Sequence, residues 1–194
     1  MPTYDPSTAL LVVDVQNDFA DPNGSLYVTG GEEILDRANE EIRAASNAGA
    51  LAIYTQDWHP PSTPHFQKDG GIWPVHCVRD TWGAEFVPGL EVRGTVIRKG
   101  TGGEDGYSGF SVRDPRSGAR SATELEGELR SRDIRRVVIA GLATDYCVVE
   151  TVLDARHLRF ETEVLRDAIR AVDLQPGDGD RAIERMREAG AEIG

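Results

Sequence analysis

Five short runs of apolar and β-branched residues punctuate the chain, separated by segments whose apolar positions recur at helical spacing. Ala9-Leu10-Leu11-Val12-Val13, Leu51-Ala52-Ile53-Tyr54-Thr55, Thr95-Val96-Ile97-Arg98, Val137-Val138-Ile139-Ala140 and Glu163-Val164-Leu165 carry the strand signal. The first and fourth are apolar without alternation, as expected of parallel strands covered on both faces. Ile34, Leu35, Ala38, Ile42 and Ala45 predict a helix over 32–48 that Gly49 stops. Ser121-x-x-Glu124 predicts a capping box for a helix running to Arg132. The spacing of Tyr146, Val149, Val152, Leu153 and Leu158 predicts another, with Thr144 or Asp145 as N-cap, and a last helix covers 178–188. This alternation predicts an α/β fold: a doubly wound, mostly parallel sheet with helices on both faces. With no repeat, linker or low-complexity tail, one domain over 1–194 is expected.

The interval from Gln56 to Gly94 breaks the pattern. It is rich in proline, glycine and aromatic residues and has no period, and so long an irregular segment inside a compact domain is usually functional.

A length of 194 residues leaves room for one such domain with a substantial core. The 33 acidic and 21 basic residues give a net charge of −12, without a basic patch, which argues against nucleic acid or an anionic membrane as partner. Met1-Pro2-Thr3-Tyr4-Asp5 lacks the regions of a signal peptide, and no apolar run approaches a membrane span. A soluble cytoplasmic protein with two reduced cysteines is the expectation. Two counts are sharper. The cations are 19 arginines but only two lysines, Lys68 and Lys99, so a lysine can mark a need for a compact ammonium. Of four histidines, His59, His65 and His76 share the irregular interval, and only His157 lies elsewhere.

Candidate chemistry gathers at the strand ends. Asp14, the pair Asp57/His59, Lys99 and Cys147 each follow a predicted strand, and in an open parallel sheet those edges converge on one crevice. Cys147 falls in the first turn of a predicted helix, where free N–H groups and the helix dipole favour a thiolate. Asp14 can act as base and then acid, and Lys99 can favour the thiolate and hold the carboxylate. Each also has an ordinary reading alone: a turn aspartate, a surface lysine, a buried small thiol. Asp57-x-His59 aims two side chains to one face of an extended segment. His76, with His65 as a fourth, would complete a set suited to Zn, Mn or Fe; the alternative is histidines in ordinary hydrogen bonds. Trp58, Phe66, Trp73 and Trp82 could wall an aromatic substrate or pack the loop. Gly100-Thr101-Gly102-Gly103-Glu104-Asp105-Gly106 lacks phosphate-loop spacing and a following helix, and reads as a mobile loop.

Taken in order, Asp14-Val15-Gln16-Asn17-Asp18-Phe19, Gly24-Ser25-Leu26 with Val28-Thr29-Gly30-Gly31, Asp57-Trp58-His59, Trp73-Pro74-x-His76-Cys77, Lys99-Gly100, Tyr107-Ser108-Gly109-Phe110 and Gly141-Leu142-Ala143-Thr144-Asp145-Tyr146-Cys147-Val148 resemble the nicotinamidase/pyrazinamidase branch of the isochorismatase-like cysteine hydrolases. The resemblance implies hydrolysis of nicotinamide to nicotinic acid and ammonia, feeding NAD salvage. It implies Cys147 as nucleophile, Asp14 as general base and acid, and Lys99 as the third member. Asp57, His59 and His76 would bind one divalent metal that holds the pyridine nitrogen, zinc first, with manganese or iron as alternatives. His65 matches a further ligand of only some members. Phe19 and Trp73 match positions that sandwich the ring, with Tyr107 beside them. The Leu142–Ala143 bond corresponds to a cis peptide that turns the Ala143 N–H towards an oxyanion hole shared with the Cys147 N–H. Family members are often homo-oligomers, an analogy that carries to this chain.

Three departures bear on substrate range and rate. Tyr146 stands where a histidine often precedes the cysteine, Tyr27 follows Gly-Ser-Leu, and the loop after Lys99 carries Glu104 and Asp105. The competing readings are a cysteine amidase for carbamoyl or ureido substrates, which does not use the Asp57/His59/His76 set, and a catalytically silent metal-binding α/β protein. Isochorismatase itself lacks the cysteine.

Overall fold

The computed structural model describes residues 2–194; Met1, where the N-terminal segment read above begins, lies outside them. In chain order the regular elements are β1 (Thr8–Val13), α1 (Asn17–Ala20), α2 (Leu35–Asn47), β2 (Leu51–Asp57), β3 (Thr95–Lys99), β4 (Ser111–Arg113), β5 (Arg120–Ala122), α3 (Leu125–Ser131), β6 (Arg136–Leu142), α4 (Val149–His157), β7 (Glu161–Arg170), α5 (Asp178–Glu188) and β8 (Glu192–Ile193).

Six strands form one sheet in the order β3-β2-β1-β6-β7-β8, and every neighbouring pair is parallel. From β1 the chain winds outward to β2 and β3, then returns to place β6, β7 and β8 on the other side. The winding therefore reverses between β1 and β6, and the crevice at their carboxyl ends is where a doubly wound sheet presents its site.

The unalternating strands are explained by two cores. Side chains alternate across a strand, so Ala9, Leu11, Val13, Val137 and Ile139 join one buried cluster, with Leu125 and Leu129 of α3, Val152 of α4 and Ile183 and Met186 of α5. Leu10, Val12, Val138, Ala140 and Leu142 face the other way and meet Ile42 and Ala45 of α2. Each large aliphatic side chain so buried contributes roughly 1.5–3 kcal/mol. Among the described residues no helix is long and apolar enough to cross a membrane.

Local differences from the sequence reading have identifiable causes. The helix read over 32–48 starts as a tighter turn, Gly31–Ile34, before α2, because Gly30 is left-handed at φ 74° and turns the chain abruptly. Ser121 does not cap α3: it pairs with Val112 in the hairpin β4–β5, and Thr123 Oγ1 instead accepts the Leu125 N–H at 3.2 Å. Elements α1, β4, β5 and β8 are too short to show a period, and the sequence reading missed them.

Candidate active site

Asp14 directly follows β1 and sits at φ 50°, a left-handed conformation that aspartate tolerates better than most residues and that commonly marks a functional position. The turn buries its carboxyl completely. Val13 is the register partner of Thr55 on β2, so Thr55 Oγ1 reaches Asp14 Oδ1 and donates a hydrogen bond at 2.6 Å. One register further out, Asp57 and Lys99 are partners on β2 and β3, which points both side chains to the same face. Lys99 Nζ lies 2.6 Å from Asp57 Oδ1 and 2.7 Å from Asp14 Oδ2, donates to the Gly106 carbonyl and stands 3.8 Å from Cys147 Sγ. An ammonium has three protons, and Asp57, Gly106 and Cys147 take them. Asp14 Oδ2 thus feels the charge while keeping no aligned hydrogen bond of its own, which leaves it free to accept a proton.

Burial governs the protonation of this group, and Lys99 opposes it. Desolvation raises the Asp14 carboxyl above the ordinary carboxylate range despite the neighbouring ammonium. Burial pushes the Cys147 thiol well up; Asp14 and Asp57 add to this while Lys99 pulls the other way. Burial alone would lower the Lys99 ammonium, but two carboxylates in contact hold it well above its usual value. Burial would likewise raise Asp57; Lys99 and then His59 outweigh it and keep that carboxylate ionised.

Cys147 lies in a wide turn, Thr144–Val148, that precedes α4 and is closed by the Val148 N–H donating to Ala143 O at 3.0 Å. The first regular helical turn comes later than the apolar spacing suggests, and neither Thr144 nor Asp145 caps it by a side-chain hydrogen bond. The Asp145 carboxylate instead accepts from the Val172 and Asp173 N–H groups, each at 2.9 Å, because those donors lie closer than its own helix. The Leu142–Ala143 peptide is cis, and Ala143 and Cys147 line the same cavity.

The irregular interval is stapled at both ends. His59 N–H donates to Cys77 O, and Arg79 N–H to His59 O, both at 2.9 Å. This juxtaposes two stretches far apart in sequence and brings three imidazoles together: ring centres are 4.8 Å apart for His59–His65 and 5.3 Å for both His59–His76 and His65–His76. One nitrogen from each lies within 4.8 Å of the others, with fully buried Phe66 packed against all three rings. His76 Nδ1 pairs with Pro74 O at 2.8 Å and His65 Nδ1 with Asp105 Oδ1 at 2.7 Å. Both nitrogens of His59 are buried without a partner. Burial lowers the His76 imidazole to about 4, so it is neutral, as a ligand must be. The orphaned nitrogens of His59, grouped with one nitrogen each of His65 and His76, fit a cation. Asp57 joins the two groups: its Oδ1 meets Lys99 while its Oδ2 is 3.7 Å from His59 Nε2.

A cavity opens between these clusters, lined by Phe19, Trp73, Tyr107, Ala143, Tyr146 and Cys147, with His65, His76 and Asp57 at its polar end. Trp73 Nε1 donates to Tyr107 Oη at 2.7 Å, and Trp73 meets Tyr146 edge-on with ring centres 4.9 Å apart. Of the other aromatics, Phe66 packs behind the histidines, Trp58 lies under the Arg98 guanidinium at 3.8 Å, and Trp82 is largely exposed. The segment after Lys99 is pinned rather than mobile: its Gly103 and Gly106 carbonyls accept from Thr63 and Lys99, and buried Asp105 accepts from His65. Thr55 escaped the sequence reading and Asp105 entered it only as a departure, since neither stands in a pattern that marks chemistry.

A buried thiol that shares one cation with a carboxylate, at the reversal point of a doubly wound sheet, is the apparatus of a thiol-dependent hydrolase. The chain belongs to the isochorismatase family, whose Isochorismatase domain matches residues 8–194. It is 37% identical over 206 residues to the nicotinamidase of Escherichia coli strain K12, covering 97% of this chain and 94% of that one. The crystal structure of the pyrazinamidase of Pyrococcus horikoshii in complex with zinc superposes with a TM-score of 0.87 at 42% identity, over 97% of this chain and 99% of the other. A protein of L. infantum in complex with nicotinate superposes with a TM-score of 0.88 at 35% identity, over 100% and 95% of the two chains.

Proposed function

We propose that the chain hydrolyses nicotinamide to nicotinic acid and ammonia through a thioester on Cys147. The observation that carries this reading is the Asp14–Lys99–Cys147 cluster, joined through Asp57 to three histidines and opening into one aromatic cavity.

Asp14 Oδ2 takes the Cys147 proton. Burial raises Asp14 and makes it a stronger base than an exposed aspartate, which offsets part of the cost that the same burial puts on ionising the thiol. The sulfur attacks the amide carbonyl, and the N–H groups of Ala143 and Cys147 receive the charge that develops on its oxygen. Asp14 returns the proton to the departing ammonia, then takes one from the water that cleaves the thioester and hands it to the leaving Cys147 sulfur, which restores both groups. Lys99 holds Asp14 and Asp57 in register and keeps the net charge of the buried group low. Phe19, Trp73 and Tyr107 line the cavity, and this aromatic lining supports a flat aromatic amide as substrate.

Asp57, His59, His76 and His65 would hold one divalent metal; the nitrogen-rich donor set favours zinc over the harder cations, with manganese or iron as alternatives. When bound, that ion supplies a Lewis-acidic anchor for the pyridine nitrogen.

The test is ammonia release across nicotinamide, pyrazinamide, carbamoyl amides and ureido compounds. Nicotinamide and pyrazinamide turn over, the others do not, and Cys147→Ala abolishes release while the fold persists. Preference for a ureido substrate, or turnover by the alanine variant, overturns the reading.

A further inference from the structure

The hydrogen bond from His65 to Asp105 has no role in the reaction above. Asp105 sits in the segment after Lys99, 40 residues from His65 in sequence, and both side chains are almost fully buried. Asp105 Oδ1 meets His65 Nδ1 at 2.7 Å. Its Oδ2 is held by Arg113 of β4, at 2.8 Å from Nη2 and 3.2 Å from Nε. The same two residues also exchange backbone hydrogen bonds, Asp105 N–H to Arg113 O at 2.8 Å and the reverse at 3.0 Å. The carboxylate therefore has no freedom to swing: its backbone is paired and both its oxygens are engaged.

We infer that Asp105, braced by Arg113, is a positioning residue that makes His65 a metal ligand, its carboxylate fixing the Nδ1–H tautomer and leaving the Nε2 lone pair for an ion shared with His59 and His76. The inference rests on the metal reading above. An imidazole has two nitrogens, and an acceptor on one decides that the other carries the lone pair. A histidine on a proline-rich loop would otherwise turn about its side-chain bonds, and a fixed ring binds with less ordering cost. His76 has the Pro74 carbonyl in the equivalent position; a charged acceptor makes the stronger bond. The acidic residue after Lys99 thus works for the site, whereas the sequence reading took it only as a departure. It also ties the metal group to the β4–β5 hairpin, since the brace comes from that element.

The experiment measures Zn(II) affinity by competition with a chromophoric chelator, on protein first stripped of metal, and the visible spectrum of the Co(II)-loaded protein. Asp105→Ala is expected to weaken Zn(II) binding about 10–100-fold and to change the Co(II) band intensities. In the His65→Ala background the same substitution changes affinity by less than about twofold, because its route of action is gone. Asp105→Asn, which keeps an acceptor oxygen and the shape, covers the case in which the alanine variant does not fold; it weakens binding about threefold, again only when His65 is present. Equal losses in both backgrounds mean that Asp105 merely pins the loop and overturn the inference, as does unchanged Zn(II) affinity in the single variants. A parent protein that binds neither Zn(II) nor Co(II) overturns the metal reading itself, and this inference with it.

Discussion

Lys99 Nζ touches Asp57 Oδ1 at 2.6 Å, and through that contact one ammonium serves both the thiol group and the histidine group. It is among the largest fully buried side chains of the protein, in contact with two carboxylates. Buried ions tolerate one another only when their charges and donors are matched, so the two groups stand or fall together.

Lys99→Met removes the charge and keeps the volume, leaving two buried carboxylates without a counter-ion. Urea denaturation is expected to show a loss of about 3–5 kcal/mol, and ammonia release to vanish. Lys99→Arg does not rescue it, because a planar fork cannot replace a compact ammonium among three close acceptors. A stable, active methionine variant would sink the shared-cation account.

Thr55→Val tests the ionisation of Asp14. The base must be ionised, so kcat/KM is lost as pH falls through its pKa, and burial places that limb above the ordinary carboxylate range. The Thr55 hydrogen bond favours the charged form and lowers that pKa. Its removal moves the acid limb to higher pH; a shift the other way in a pH–rate profile contradicts the assignment of Asp14 as base.

Tyr107→Phe leaves Trp73 Nε1 without its acceptor at the side of the cavity. A lost neutral hydrogen bond costs about 1 kcal/mol, and the cost falls on ordering the ring pocket rather than on the thiol. Steady-state kinetics should show KM for nicotinamide raised about fivefold with kcat nearly unchanged. An equal fall in kcat and kcat/KM would place Tyr107 in the chemical step instead.

Removal of metal by chelation raises KM for nicotinamide, while the alkylation of Cys147 by iodoacetamide continues. Metal analysis of stripped and reloaded protein, run beside the kinetics, decides this. Full turnover at unchanged KM without metal would end the anchoring role.

Gly141→Ala addresses the strand beneath the site. Gly141 has φ 121°, and a Cβ there would lie 2.0 Å from the Val13 carbonyl, backbone that cannot move without opening the β1–β6 pairing. A destabilisation of about 2–4 kcal/mol is expected in thermal or urea unfolding. A neutral effect would mean that the crevice floor is softer than its packing suggests.

Much of the fold and the site is legible in the sequence. Unalternating apolar runs mark the central strands as covered on both faces, and Asp14, Asp57, Lys99 and Cys147 stand out because each lies at or just past the end of a predicted strand. Periodicity works there because a buried strand writes its environment into consecutive residues. It fails for Ser121, whose spacing to Glu124 fits a cap equally well when the chain is a hairpin, and for Asp145, whose nearest free donors belong to residues 172 and 173. In both, a competing partner distant in sequence wins over the local one.

The sequence by itself determined the order of the principal strands and helices, the sheet type and which side chains carry acid–base, nucleophilic and metal-ligating groups, because those derive from side-chain pattern and functional group. Only the tertiary structure decided which of them touch. Strand register sets Asp57 beside Lys99, and the His59–Cys77 staple closes the histidine group. The carboxylate of a loop that looked free came to rest under His65. Such contacts depend on burial, where an unpaired polar atom is costly and any donor within reach is recruited, whatever its distance along the chain.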